Sequence, residues 1–215
     1  MRYGGEVSGV VKKRRDFALG VAFELFSTRA IEAVNMTDIA DAANMGVASL
    51  YRYFGTKQEL VLQLAAMKWR EELQEIDERF AHCGAEGMDP LKTLEFYLDC
   101  CITLYREKKA FLRFNANFQN YIQHEVVEQE RLMAYGNGME PFFVKMADAW
   151  NKAQETGCIR EDLSQRESYV AVICSMLFLA QSLAQSIAWP EQMAVDYETV
   201  LQKHKQMLLE TIAKK

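Results

Sequence analysis

The stretch NMTDIADAANMGVASLYRYFGTK, residues 35–57, decides how this chain is read. Asn35 and Asp38 stand three residues apart, the spacing at which an N-cap side chain and an N3 carboxylate each accept from the other residue's backbone N–H, so a helix is predicted to open at Asn35. Ile39, Ala40 and Ala43 give that helix one apolar face. Asn44, Met45 and Gly46 interrupt it, and asparagine tolerates the left-handed conformation that a tight turn needs. A second short helix is predicted from Val47 to Phe54. At about 100° per residue, Val47, Leu50 and Phe54 fall on one side of it, Ala48, Ser49, Arg52 and Tyr53 fall roughly opposite, and Tyr51 lies at the flank. Gly46 offers this helix no side-chain cap. Thr56 can cap the helix that follows, with Glu59 at its N3 position.

Two short helices joined by a three-residue turn form a helix-turn-helix, whose second helix can enter the major groove of duplex DNA. The outward side has the chemistry for it. Ala48 and Ser49 are small enough for close backbone approach to base edges, and Arg52 can donate two bonds to guanine O6 and N7. Tyr51 and Tyr53 can reach phosphates with their hydroxyls. Lys57 with the first amides of the fourth helix, and Asn35 with the N-terminus of the second, can each hold a phosphate. Thr37, one turn further on, can also reach the groove. Upstream, Val10, Phe17, Val21 and Leu25, with Ala18, Ala22 and Phe26, recur at helical spacing and predict a first helix from about residue 10 to 27. Lys12, Lys13, Arg14 and Arg15 stand on its first turns, either as a solvated face or as phosphate contacts.

The composition agrees with an all-α chain. Only 3 prolines and 11 glycines occur in 215 residues, half of the residues are apolar and 26% are charged. Chains this poor in helix breakers favour helix, and this apolar content excludes disordered and collagen-like classes. The prolines, Pro90, Pro141 and Pro190, stand where helical patterns stop or restart. Further helices are predicted at about 90–106, 109–120, 121–136, 140–156, 164–188 and 194–213. The net charge of −5 argues against a surface that grips nucleic acid all over, without excluding a local site. Residues 1–60 hold 8 Lys and Arg against 7 Asp and Glu, so the acidity belongs to the remainder. Five cysteines (83, 100, 101, 158 and 174) with no CxxC pair predict free thiols and a cytoplasmic setting. The longest apolar stretch, Tyr169 to Ala180, is shorter than a membrane span, and no membrane partner is expected.

At the residues of the opening stretch, the sequence resembles the TetR family of transcriptional regulators. Phe23 to Phe26 (F-x-L-F), then N-M-T-D-I-A-D-A-A, then G-V-A-S-L-Y-R-Y-F-G-T-K-Q-E-L carry the resemblance, which is dense over about 50 of the 215 residues. A G-x-I-R-x-D-L segment at Gly157 to Leu163 adds to it. The turn departs from the family's usual Gly-Val-Ser. The resemblance implies an N-terminal three-helix helix-turn-helix domain, residues 1–56, and a larger helical ligand-binding and dimerisation domain, residues 57–215. It makes Asn35, Tyr51, Tyr53 and Lys57 phosphate contacts and turns Thr37, Val47, Ala48, Ser49 and Arg52 toward the groove. The implied activity is a dimeric repressor released from a palindromic operator by a small hydrophobic or aromatic effector.

The remaining residues offer candidates for both other surfaces. Tyr97, Cys101, Phe111, Phe114, Phe118, Tyr121, Phe143, Met146 and Trp150 are the aromatic and sulfur-rich candidates for an effector pocket, with Asn115, Asn117 or Gln119 as polar groups. Ile173, Leu177, Ala180, Ala184, Val200, His204, Met207 and Leu208 are the candidates for a homodimer interface, because the last two helices are apolar on more than one side and rich in small residues. No catalytic, metal or cofactor site is expected: none of His82, His124 and His204 follows a glutamate by three, and neither a phosphate-binding loop nor a G-x-S-x-G motif occurs. The alternative reading is a helical partner-binding adaptor that keeps the fold without ligand-controlled DNA binding.

Overall fold

The computed structural model describes residues 3–84, 87–124, 136, 140–185 and 195–214. Among them the chain is helical and no β-strand occurs. It divides into two compact units: Met1–Lys68 with Arg113–Gly136, and Trp69–Leu112 with Asn137–Lys215.

The first unit is built on α1 (Tyr3–Thr28), α2 (Met36–Ala42) and α3 (Val47–Phe54), with residues 57–68 of α4 (Lys57–His82) and 113–124 of α6 (Lys109–His124). Helix α1 starts well before residue 10, and its buried row differs from the expected one. Ala18, Leu19, Ala22 and Phe26 are buried, whereas Val10 and Phe17 stand 56% and 59% exposed. The two alanines, four apart, let the helix approach closely, and Phe26 fills the space one turn on. The core also takes Ile31, Val34, Ile39, Leu50, Phe54, Leu60 and Leu64. Phe114, Phe118 and Tyr121 of α6 belong to this same core, with Phe114 edge-on to Phe23 at 5.6 Å. Asn117 donates to the carbonyls of Phe26 (2.8 Å) and Arg29 (3.2 Å), closing the open end of α1.

The second unit centres on α5 (Pro90–Glu107), preceded by the remainder of α4. Asp89 caps α5 through the amides of Leu91 and Lys92, and Pro90 takes the first helical position, where its missing N–H costs nothing. Leu94, Tyr97, Leu98, Cys101, Ile102 and Tyr105 form its buried face. It packs against α7 (Glu140–Glu155), α8 (Gln165–Ala184) and α9 (Tyr197–Ile212). Lys205 of α9, nearly buried, donates to Glu95 (3.0 Å) and Asp99 (2.9 Å) of α5. The Gly157–Leu163 segment follows α7. Gly157, at φ +69°, takes the left-handed turn that ends the helix, and Arg160 N–H then donates to Ile212 O (2.9 Å) across an isolated bridge of Ile159 with Ala213.

Helix α8 departs from regular winding over Tyr169–Cys174, which is π-helical. At 20 residues it is long and apolar enough to cross a membrane, more so than its central run alone suggests. Its Ile173, Met176, Ala180 and Ala184 are buried within the unit. The expected helix at 121–136 lies mostly outside the described residues, as do 186–188 of the helix predicted at 164–188 and Pro190.

Candidate nucleic-acid interface

The cap at the head of α2 is as the spacing requires. Asp38 N–H donates to Asn35 Oδ1 at 2.9 Å, and Asn35 N–H donates to Asp38 Oδ2 at 2.9 Å. The two bonds satisfy donors that the first turn leaves open and pin the N-terminus of α2, with Asn35 and Thr37 both exposed. Helix α2 ends on Asn44, at φ +51°, and Met45 N–H returns to Ala40 O at 2.8 Å. Gly46 then opens α3 with no side-chain cap.

Helix α3 is held from one side. Leu50 is fully buried and Phe54 nearly so, which fixes the rotation of the helix and presents Ala48, Tyr51 and Arg52 to solvent, with Ser49 half-buried. Tyr53 is half-buried, edge-on to Phe54 at 6.3 Å, and the Arg52 guanidinium lies 5.6 Å from its ring. Val47 stands 38% exposed and shares the outer surface, because the first turn of α3 lies at the end of the unit's apolar core. The side chain of Thr56 accepts from Glu59 N–H at 3.1 Å, opening α4. Lys57 Nζ lies 3.5 Å from Glu32 O and 5.8 Å from the Tyr121 ring, so its stem is steadied while its charge stays at the start of α4.

The four basic residues of α1 divide. Arg15 bonds Gln63 and lies over the Phe54 ring at 5.5 Å, bracing α1 against the far end of α3. Lys13 and Arg14, with Phe17, line a concavity of about 360 Å³ whose opposite rim is Asn44, Met45, Gly46 and Ser49. Sequence reasoning singled out the run but not this split. The signal was the four-residue spacing of Lys13 and Phe17, which puts a cation and an exposed ring on one face. This places a basic wall beside the start of α3, complementary in charge to a phosphate backbone.

The aromatic candidates for an effector pocket do not come together. Phe114, Phe118 and Tyr121 are spent in the core of the first unit, and Asn117 is spent closing α1. Tyr97, Cys101 and Phe111 are packed in the second unit, Phe111 edge-on to Trp69 at 4.9 Å. Burial pushes the Tyr97 hydroxyl and the Cys100 thiol up to about 12 each and raises the Cys101 thiol as well. Met146 and Trp150 do line a cavity, and the side chain of Phe143 lies outside the described residues. Of the dimer candidates, Ile173, Ala180 and Ala184 are buried inside the chain's own unit. Leu177, Val200, His204 and Leu208 are half-buried and Met207 is 63% exposed. Phe178 and Val170, not among the candidates, are exposed apolar side chains on α8.

A capped helix, a left-handed turn and a second helix anchored only from behind define a helix-turn-helix DNA-binding transcriptional regulator. The sequence profile of bacterial regulatory proteins, tetR family, matches residues 18–64, which run from the middle of α1 to the first turns of α4, and these residues form a domain of that family. The HTH-type transcriptional repressor KstR2 of Rhodococcus jostii is 26% identical over 201 residues, covering 93% of this chain and 91% of that protein. The structure of the ketosteroid transcriptional regulator KstR2 of Mycobacterium tuberculosis superposes with a TM-score of 0.64 at 22% identity, covering 94% of this chain and 96% of the other. A regulator from Saccharomonospora viridis in complex with choline gives 0.74 at 14% identity over 95% of this chain and all of the other. These structural likenesses establish the fold.

Proposed function

We propose that the protein is a cytoplasmic, homodimeric repressor that binds a palindromic operator and leaves it when a small apolar effector binds. The observation that carries this reading is the rotation of α3: Leu50 and Phe54 face inward, so Ala48, Ser49, Tyr51 and Arg52 face where base edges and phosphates lie. In this reading residues 1–56 read DNA and residues 57–215 dimerise and sense. Asn35, Tyr51, Tyr53 and Lys57 hold phosphates, joined by Lys13 and Arg14, while Thr37, Val47, Ala48, Ser49 and Arg52 face the groove. A single helix-turn-helix of this size reads a half-site, and a two-fold dimer reads the palindrome. The exposed apolar side chains Phe178 and Met207 support a self-interface on α8 and α9. The R. jostii relative bears the name of a repressor, which supports the sign of regulation. One structural neighbour is titled a ketosteroid transcriptional regulator and another was solved in complex with choline; in this reading the residues of this chain's own cavity set its ligand.

Selection of preferred sites from a random pool of duplex DNA by the purified protein tests the reading. A palindrome with half-sites about one helical turn apart supports it, and weak, sequence-blind binding favours the partner-binding adaptor instead.

A further inference from the structure

The DNA-facing residues leave a cleft between α7 and α8 without a role. Its volume is about 380 Å³, inside the range of about 300–1,000 Å³ that holds one small organic molecule. Met146, Ala147 and Trp150 of α7 form one wall, and Val170 and Ile173 form the other. Gln165 and Arg166 stand at the start of α8. We propose that this cleft binds a compact apolar molecule carrying one negative charge, its ring body between Met146, Trp150 and Ile173 and its anionic group at the Arg166 guanidinium. As the effector site of a repressor, it rests on the reading above.

Four features of the cleft converge on that ligand. Val170 keeps 57% of its surface in water although it lines a cavity, so an apolar ligand removes exposure that the chain itself leaves uncovered. The two polar side chains divide by availability. Gln165 Nε2 already donates to Ala147 O (3.0 Å) and Asn151 Oδ1 (2.9 Å), which ties α8 to α7 along the rim. Arg166 is exposed and makes no ion pair among the described residues, so the charge left to choose a ligand is positive and repels a cation. Trp150 is 4% exposed, and its Nε1–H meets no acceptor among the described residues. A ligand acceptor that displaces the side chains over that donor satisfies it. The wall that carries Val170 and Ile173 is the π-helical stretch Tyr169–Cys174, where a widened turn can rewind without breaking the helix, a device frequent at functional sites.

Isothermal titration calorimetry of the full chain with 2-naphthoate and with its uncharged amide, 2-naphthamide, tests the proposal. The carboxylate is expected to bind about tenfold more tightly than the amide, the ratio that corresponds to about 1.4 kcal/mol. Arg166→Gln is expected to bring the carboxylate down to the amide's affinity, and Ala147→Trp, which fills the cleft, to abolish binding of both. Val170→Trp, at an exposed lip position, fills the same space should Ala147→Trp fail to fold. Equal affinities in the unmodified chain, a carboxylate preference that survives Arg166→Gln, or binding that survives a folded cleft-filling variant overturns the proposal. Operator affinity, measured separately by fluorescence anisotropy, keeps the two readings apart. A chain that binds naphthoate but no operator refutes the repressor, and one that binds its operator without a carboxylate preference refutes the cleft.

Discussion

Asn35 caps α2 and, in the proposed function, also contacts a phosphate, two duties that substitution can separate. Its Oδ1 accepts from Asp38 N–H at 2.9 Å, and its own N–H donates to Asp38 at the same distance. Asn35→Ala deletes the first bond and keeps the second. Asn35 is exposed, so water takes the vacated donor and the loss falls near the middle of the N-cap range, about 1 kcal/mol. For a chain of this length that lowers the melting temperature by about 2–4 °C. Asn35→Asp keeps the acceptor and adds a negative charge at a helix N-terminus, which is favourable by about 0.3–1 kcal/mol, so its stability matches or exceeds that of the unmodified protein. On DNA the same charge meets phosphate oxygens in place of an amide donor, and operator affinity is expected to fall by about tenfold or more. Thermal denaturation by circular dichroism reads the first effect, and anisotropy of a labelled operator at fixed salt reads the second. Asn35→Asp as unstable as Asn35→Ala refutes the cap argument; Asn35→Asp with unimpaired operator affinity refutes the phosphate contact.

Arg52→Ala is expected to cost about 1–3 kcal/mol of specific binding and to relax preference at one base position, whereas Lys13→Ala weakens all sequences alike and lowers the salt slope by about one, both read by anisotropy across a salt series. Phe114→Ala opens a void in the first unit's core and is expected to destabilise by about 3–5 kcal/mol in denaturant titration, with no dependence on added effector; a cost under about 1 kcal/mol contradicts its place there. Burial disfavours the charged form of His204 and holds its imidazole below the ordinary 6.5, so the unfolded chain binds the proton first. Stability is then full above pH 6.5 and falls as pH drops through the lower folded value, and His204→Gln flattens melting temperature against pH over that interval. Exposed Cys83 is expected to react promptly with a thiol reagent at about pH 8, while Cys100 and Cys101 react only after denaturation, because burial raises both thiols; mass spectrometry of the labelled peptides decides.

The opening stretch was legible because its forces are local. A cap needs residues three apart, a left-handed turn needs one tolerant residue, and a helix face needs neighbours at three and four. Asn35 with Asp38, Asn44, and Leu50 with Phe54 therefore behave as read. Where the partner lies far along the chain, the same rules gave less. The periodicity of α6 marks Phe114, Phe118 and Tyr121 as buried without saying against what, and they fill the helix-turn-helix core instead of a pocket. Phe17 and Val10 fit a helical apolar pattern equally well and stay in water, because two small alanines on the neighbouring row bring α1 closer. Arg15 looks like its three basic neighbours, yet Gln63 and the Phe54 ring, both distant in sequence, take it out of the exposed set.

What the sequence alone determined, then, is an all-helical chain with a capped, turned and faced helix pair near its start. Each of those features is set by side chains within one helical turn of one another. Only the tertiary structure decided which aromatic residues are core, which cations stay free beside α3, and which of the apolar side chains on α7 and α8 line a cleft. Those outcomes depend on contacts between residues tens of positions apart, and burial is a property of the packed neighbour as much as of the residue buried.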